Sequence, residues 1–417
     1  MGGAHSHVQG VDERLVGPTP LVRAVLVGVI VALGAAAVAG LWWLWPSGDL
    51  TRSIEFFGED VTVHDAAVRE VGEPCPILVA DPENPQPSGE RPAGCDTLRV
   101  EPRSGPEAGA DVELQVPPEA SRSGLRAGDT VRVFRIPAPG EPVYAFLGVE
   151  RNPSLALLAG MAALVVVVVA RWRGLLAIVG LGFSAAVIWW FMLPALVEGK
   201  PGLWVALTAA TAILFVVLYL AHGVSIRTSV ALAGTLAGIA VTAVLALWST
   251  GGARLSGLGG EAGDTLLLQA GELGFRELLV CAVVIAGLGV LNDVTITQAS
   301  AVWELRAAAP AATRRELFSS GMRIGRDHIA STIYTIVFAY AGTSLGLLVL
   351  VSLYDRPVAD MLLDEGVAEE VVRTLTSTVG LVLAVPITTV LAVLTVRPPV
   401  VAGPPRSDAA VAHVDRA

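Results

Sequence analysis

The stretch GLGVLNDVTITQASAVWELRAAAPAATRRELFSSGMRIGRDHIASTIYTIVFAYAG, residues 287–342, decides how the chain is read. Two long apolar helices meet in it through a short basic connector. Both carry acidic, hydroxyl and amide groups where a membrane helix would otherwise carry Leu or Val. On the first helix Asp293, Thr297, Ser300 and Glu304 recur at i, i+4, i+7 and i+11, and a period of 3.6 residues sets them on one face. On the second, Asp327, Ser331 and Thr335 recur every four residues, with His328 and Thr332 one position round. A carboxylate near the centre of a bilayer costs about 2.5–3.5 kcal/mol on insertion scales, so such groups normally face a bundle interior or a wet cavity. The two stripes are therefore expected to face each other or a common cavity.

Composition agrees with a membrane setting. Of 417 residues 53% are hydrophobic and only 16% charged, with a mean hydropathy of +0.64, too apolar for a soluble enzyme of this length. Apolar runs at 21–45, 154–170, 174–197, 202–221, 228–249, 275–300, 328–353 and 375–396 suggest about eight transmembrane helices. Arg171, Arg173, Arg227, Arg306, Arg314, Arg315, Arg323 and Arg326 fall in alternate connections, while acids from Asp355 to Glu370 crowd an opposite one. The positive-inside rule then places both termini in the cytoplasm and residues 46–153 outside, in a cell membrane. Residues 1–20 and 397–417 read as cytoplasmic tails. His5 and His7 in the first of them read as incidental, and no metal or other cofactor is implied.

The segment 46–153 is the one sizeable polar domain. Its residues read as short strands (IEFFGEDVTVHDAAVREV, CPILVA, TLRVEP, DVELQV, DTVRVFRI, VYAFLGV) between Gly, Pro and Asp turns, which suggests a small β-barrel or sandwich, with a hairpin entry at 124–136 of the kind found in OB-like and SH3-like barrels. Cys75 and Cys95 lie within it and Cys281 in an apolar run, so one disulfide in an oxidising exterior is the expected pairing. In the bundle Gly234 and Gly238 form a G-x-x-x-G that permits close helix contact, and Pro194 and Pro386 would bend their spans. Thr313 and Glu316 form a capping box that starts a short amphipathic helix ending near Gly321. Residues 356–372 read as an acidic surface helix.

The words AHGVSIRTSVALAGTLAG (221–238), LGVLNDVTITQASAVWELRAA (288–308) and RRELFSSGMRIGRDHIASTIYTIVFAYAG (314–342) resemble the YibE/F-like family of bacterial multi-pass membrane proteins. That resemblance implies a helical bundle over 154–396 and no particular chemistry. The central helix pair is also similar, more weakly, to those of the SecD/SecF export proteins and RND-type permeases. This second likeness implies that Asp293 takes part in proton coupling, with Arg326 as its electrostatic partner.

No H-E-x-x-H, P-loop, Gly-x-Ser-x-Gly or Cys-x-x-Cys occurs, so the common hydrolase, ATPase and zinc signatures are missing and an enzyme is not expected. No basic patch suggests nucleic acid as a partner. The expected function is secondary, ion- or proton-coupled transport of a small solute or ion across the lipid bilayer, with Asp293, Thr297, Ser300, Arg326, Asp327, Ser331 and Thr335 as relay candidates. A different reading of Asp293 is structural, a polar residue that fixes helix register. A different reading of the whole is a membrane scaffold or assembly factor whose β domain binds an envelope protein.

Overall fold

The computed structural model describes residues 18–48, 61–76, 94–259, 263–269, 273–353 and 357–397. The tails expected at 1–20 and 397–417 lie, apart from residues 18–20 and 397, outside the described residues, as do His5 and His7. The chain divides into two compact units, Asp49–Val169 and a second made of Met1–Gly48 with Ala170–Ala417.

The smaller unit is built on five antiparallel strands, β1 (Thr62–Val71), β2 (Thr97–Pro102), β3 (Val112–Gln115), β4 (Thr130–Ile136) and β5 (Val143–Val149), in the order β3-β2-β1-β4-β5. The two edge strands β3 and β5 approach each other, so the sheet curls. Period-2 alternation explains the curl's interior: Ala66, Val68, Leu98, Val100, Leu114, Val131 and Val133 point inward and pack together. Of the six expected strands five form among the described residues. The sixth, CPILVA, is not a strand at Cys75 and Pro76, and its remainder lies outside the described residues.

Cys75 and Cys95 are joined, as expected, with 4.9 Å between their Cα atoms. Beside them Asp96 is buried and accepts hydrogen bonds from the Cys75 N–H and the Ser121 hydroxyl, while Arg122 donates to the Cys75 carbonyl at 2.7 Å. These bonds draw the bridge and a one-turn helix between β3 and β4 (Pro118–Ser121) into one block.

Elsewhere in the unit Glu107 takes a two-pronged contact from Arg135, at 2.7 and 2.8 Å, and a third bond from the Tyr144 hydroxyl at 3.0 Å. The Arg135 hydrogen bonds hold the Glu107 carboxyl down at about 2 against an ordinary 4.5. A carboxyl depressed on folding adds stability that is complete above its ordinary value and disappears as pH falls through the folded one. The unit's melting temperature should therefore decline between pH 4.5 and about 2, and Glu107→Gln should flatten that decline in thermal scans. Equal slopes for the two proteins would show that the contact contributes nothing.

The larger unit is a helical bundle. Its long and short helices are α1 (Pro20–Trp43), the part of α2 (Asn152–Val187) from Ala170 on, α3 (Leu193–Val197), α4 (Gly202–His222), α5 (Ile226–Gly252), α6 (Gly263–Gln269), α7 (Phe275–Ala308), α8 (Arg314–Thr343), α9 (Leu345–Leu353), α10 (Val358–Met361) and α11 (Glu365–Thr395). Among the described residues six helical stretches, one of them Asn152–Val197, are long and apolar enough to cross a membrane, or seven if α8 and α9, bent by 68°, count as one crossing. The difference from the expected eight arises at Asn152–Val197, a 46-residue element that holds two of the expected runs. Arg171, at φ 54 and ψ −134, breaks helical geometry between them, next to the point where the two compact units divide. A π-helical turn, Ile188–Met192, precedes Pro194 at the far end.

The bundle's centre is α5, α7 and α11, brought together by glycine. A Cβ on Gly234 would lie 2.1 Å from Thr388 Oγ1, and one on Gly238 would lie 2.9 Å from both Ala384 and Leu291, so the G-x-x-x-G of α5 is a packing surface. Gly380 of α11 meets Thr242 in the same way, at 1.9 Å. Gly321 does not end a short helix as expected. With Gly325 it lies inside α8, where Thr389 and Val385 of α11 press against the two glycines. The capping box at Thr313 and Glu316 does form and starts the 30-residue α8.

Candidate functional site

The site is built where α7, α8 and α11 meet. The stripes read from the sequence do share faces, but those faces lie on the open side of the helix pair. Asp293, Thr297, Glu304, Arg326, Asp327, Ser331 and Thr335 are exposed and Ser300 is half-buried, so of the expectation that the two stripes face each other or a common cavity only the Thr297–His328 contact and the place of Thr335 at a cavity are seen. One hydrogen bond joins the stripes, between Thr297 Oγ1 and His328 Nδ1 at 3.2 Å. Among the described residues no ion pair links Asp293 to Arg326 or to any other base.

The hydroxyls of the stripe turn back onto their own helices. Thr297 donates to the Asp293 carbonyl at 2.8 Å, Ser300 to Ile296 at 2.8 Å and Thr335 to Ser331 at 3.3 Å. A hydroxyl bonded to its i−4 carbonyl is tolerable against apolar surroundings. The groups that still need water or another polar group include the Asp293, Glu304 and Asp327 carboxylates and the Arg326 guanidinium.

The buried face of α7 is polar as well, which sequence reasoning missed. Thr295 bonds to Thr235 of α5 at 2.5 Å, and Gln298 donates to the Gly321 carbonyl at 2.9 Å and to Thr389 at 2.7 Å. Asn292 Oδ1 has no partner. Asn292, Thr295 and Gln298 stand at i, i+3 and i+6, a spacing that could have shown a second polar seam.

A partly enclosed cavity of about 280 Å³ lies between the three helices. Gly287, Val290 and Leu291 line it from α7, Thr335, Ile336 and Tyr340 from α8, and Ser377 and Leu381 from α11. Thr335 is the one residue of the expected set that reaches it, and Asp293 follows the lining residue Val290 by three positions. Ser377 is 3% exposed and its hydroxyl has no hydrogen-bond partner. One turn before Ser377, Arg373 pairs with Glu370 at 3.0 Å, while Arg373 Nε and Glu370 Oε1 stay unpartnered. Composition alone assigns Glu370 to an acidic surface segment. The spacing of Glu370, Arg373 and Ser377 along one face of α11 was the available signal.

Among the described residues no group of three or more His, Cys, Asp or Glu side chains could hold a metal ion. The arrangement can admit a small solute to a mostly apolar space and place a titratable carboxylate a few residues from it. No curated protein and no solved structure matches the chain. The family model described as YibE/F-like protein matches residues 158–398, which include every element of this site, and the chain belongs to that family of membrane proteins.

Proposed function

We propose that the protein is a secondary transporter of the cell membrane, in which the cavity between α7, α8 and α11 takes a small solute and the Asp293 carboxylate exchanges a proton or cation. The observation that carries this reading is the cavity's position. Gly287 stands ten residues beyond Glu277, whose carboxylate binds the Gly202 N–H at the end of α4. Ten residues of helix rise about 15 Å, half of a hydrocarbon core about 30 Å thick. Solute sites of secondary transporters lie near that depth. Asp293 is sixteen residues from Glu277, about 24 Å along the helix, close to the cytoplasmic boundary. An exposed carboxylate there can meet water from the cytoplasm, and the stripe from Asp293 through Thr297 and His328 to Ser331 and Thr335 leads toward the cavity. Alternation between two packings of α8 on α7 and α11 would open the cavity to each side in turn.

The test is whether purified protein in sealed vesicles moves solute under an imposed ion gradient. A vesicle extract offered as a solute mixture should show at least one component accumulating with protein and not without it. If nothing accumulates under proton or sodium gradients of either sign while the 46–153 domain captures an envelope protein, the protein is a scaffold and the proposal fails.

A further inference from the structure

We infer that the cavity between α7, α8 and α11 is a binding site for an uncharged, mostly apolar solute about as large as a substituted benzene ring, anchored by the Ser377 hydroxyl. The inference names the solute class of the proposed transport site and rests on that reading only for the translocation step after binding.

Three observations support it. None of the residues that line the cavity carries a formal charge, so a charged solute would enter without a counter-charge. A cavity about half this size, near 150 Å³ and lined by apolar side chains, holds benzene, and here the space is about 280 Å³.

The second observation is Ser377. Buried hydroxyls in folded proteins almost always have a partner, and this one, though 3% exposed, has none. The Tyr340 hydroxyl of α8 lies near enough to interact with it, but outside hydrogen-bonding geometry. A solute hydroxyl or carbonyl in the cavity supplies the missing partner.

The third is Gly287. Glycine in a helix interior is a poor helix former, and Gly287 differs from the contact glycines in that it lines the cavity. Gly234, Gly325 and Gly380 are contact glycines, since a Cβ would come within 2.1, 2.6 and 1.9 Å of a neighbouring helix. At Gly287 the nearest atoms to a Cβ are Leu291 Cδ1 at 3.5 Å and Ser377 Oγ at 4.0 Å, ordinary contacts that leave room for a methyl group. Packing does not require this glycine. What a larger side chain would occupy is the cavity.

The probe is radiolabelled phenol, measured by equilibrium dialysis against the full-length protein in detergent, with benzoate as the charged counterpart of similar size. The wild type should bind phenol saturably at one site and benzoate at least tenfold more weakly. Gly287→Val should weaken phenol binding at least tenfold by filling the cavity. Ser377→Ala should weaken it about fivefold, the worth of one hydrogen bond. If Gly287→Val does not fold, Gly287→Ala, for which there is room, should still lower affinity measurably. The inference is overturned if wild type shows no saturable binding, if benzoate binds as tightly as phenol, or if the substitutions leave affinity unchanged. The assay uses no gradient, so binding without flux would sink the transport reading alone, and flux without phenol binding would sink the solute class alone.

Discussion

Gly380→Leu is expected to leave little folded protein. The glycine faces Thr242 across the α5–α11 contact, and a Cβ alone would stand 1.9 Å from the threonine hydroxyl and 3.5 Å from the Gly238 carbonyl. Thr242 is fully buried and its hydroxyl is bonded to that same carbonyl at 3.0 Å, so rotating it away breaks a buried bond. The alternative is to part the helices, which also loosens Gly234 from Thr388 and Gly238 from Ala384. Overpacking of a close-packed core costs about 1–3 kcal/mol and sometimes more, and a four-carbon side chain at a backbone-to-backbone contact belongs at or above the upper end. The check is the monodisperse yield and melting temperature of the detergent-solubilised protein beside a control, Gly342→Leu. Nothing lies within 4 Å of a Cβ on Gly342, so the control should melt at the wild-type temperature or slightly higher, because leucine is the better helix former. Similar melting of the two variants would mean that α5 and α11 do not meet through their glycines.

The second large effect is expected in the β unit. Replacing Cys75 and Cys95 with serine removes a bridge across a sequence separation of 20, and a closed loop of that length restricts the unfolded chain by about 3 kcal/mol. Small curled sheets have little apolar core to set against such a loss. The bonds from the Cys75 N–H to Asp96 and from Arg122 to the Cys75 carbonyl remain in the variant and keep the native geometry accessible. Hydrogen exchange of β1 and β2 amides in the full-length protein should accelerate roughly a hundredfold, the factor that about 3 kcal/mol implies. Exchange in α5 and α7 should not change. An unchanged rate in β1 would show that the bridge does not constrain the sheet.

Much of the architecture could be read from residues alone, because the signals were local. Alternation in TLRVEP and DTVRVFRI marked strands, apolar runs of about twenty marked helices, and Thr313 with Glu316 marked the start of α8. Glycine misled at Gly321, where a usual helix terminator serves as a contact surface for α11. Its neighbour Gly325, four residues on, repeats the contact. Periodicity correctly set Asp293, Thr297, Ser300 and Glu304 on one face, yet it says only that residues share a side, not which way that side points. On α7 both sides are polar, the open one with carboxylates and the buried one with Asn292, Thr295 and Gln298, so hydrophobic contrast could not orient the helix. The cavity was not legible at all. It depends on the absence of a side chain at Gly287 and on Ser377, ninety residues further along the chain. Glu370 and Arg373 were hidden by the acidic composition around them, which suggested surface where the structure has a helix packed on its neighbours.

The central claim is that a titratable carboxylate on α7 couples an ion to a solute held one turn away. The most direct measurement is the initial rate of uptake driven by an imposed pH gradient into vesicles containing either wild-type protein or Asp293→Asn, at matched protein density. The account expects the wild-type rate to rise with the gradient and the variant's rate to fall at least tenfold, to a level that no longer responds to the gradient. A variant that keeps the wild-type rate and the wild-type response to pH would contradict it.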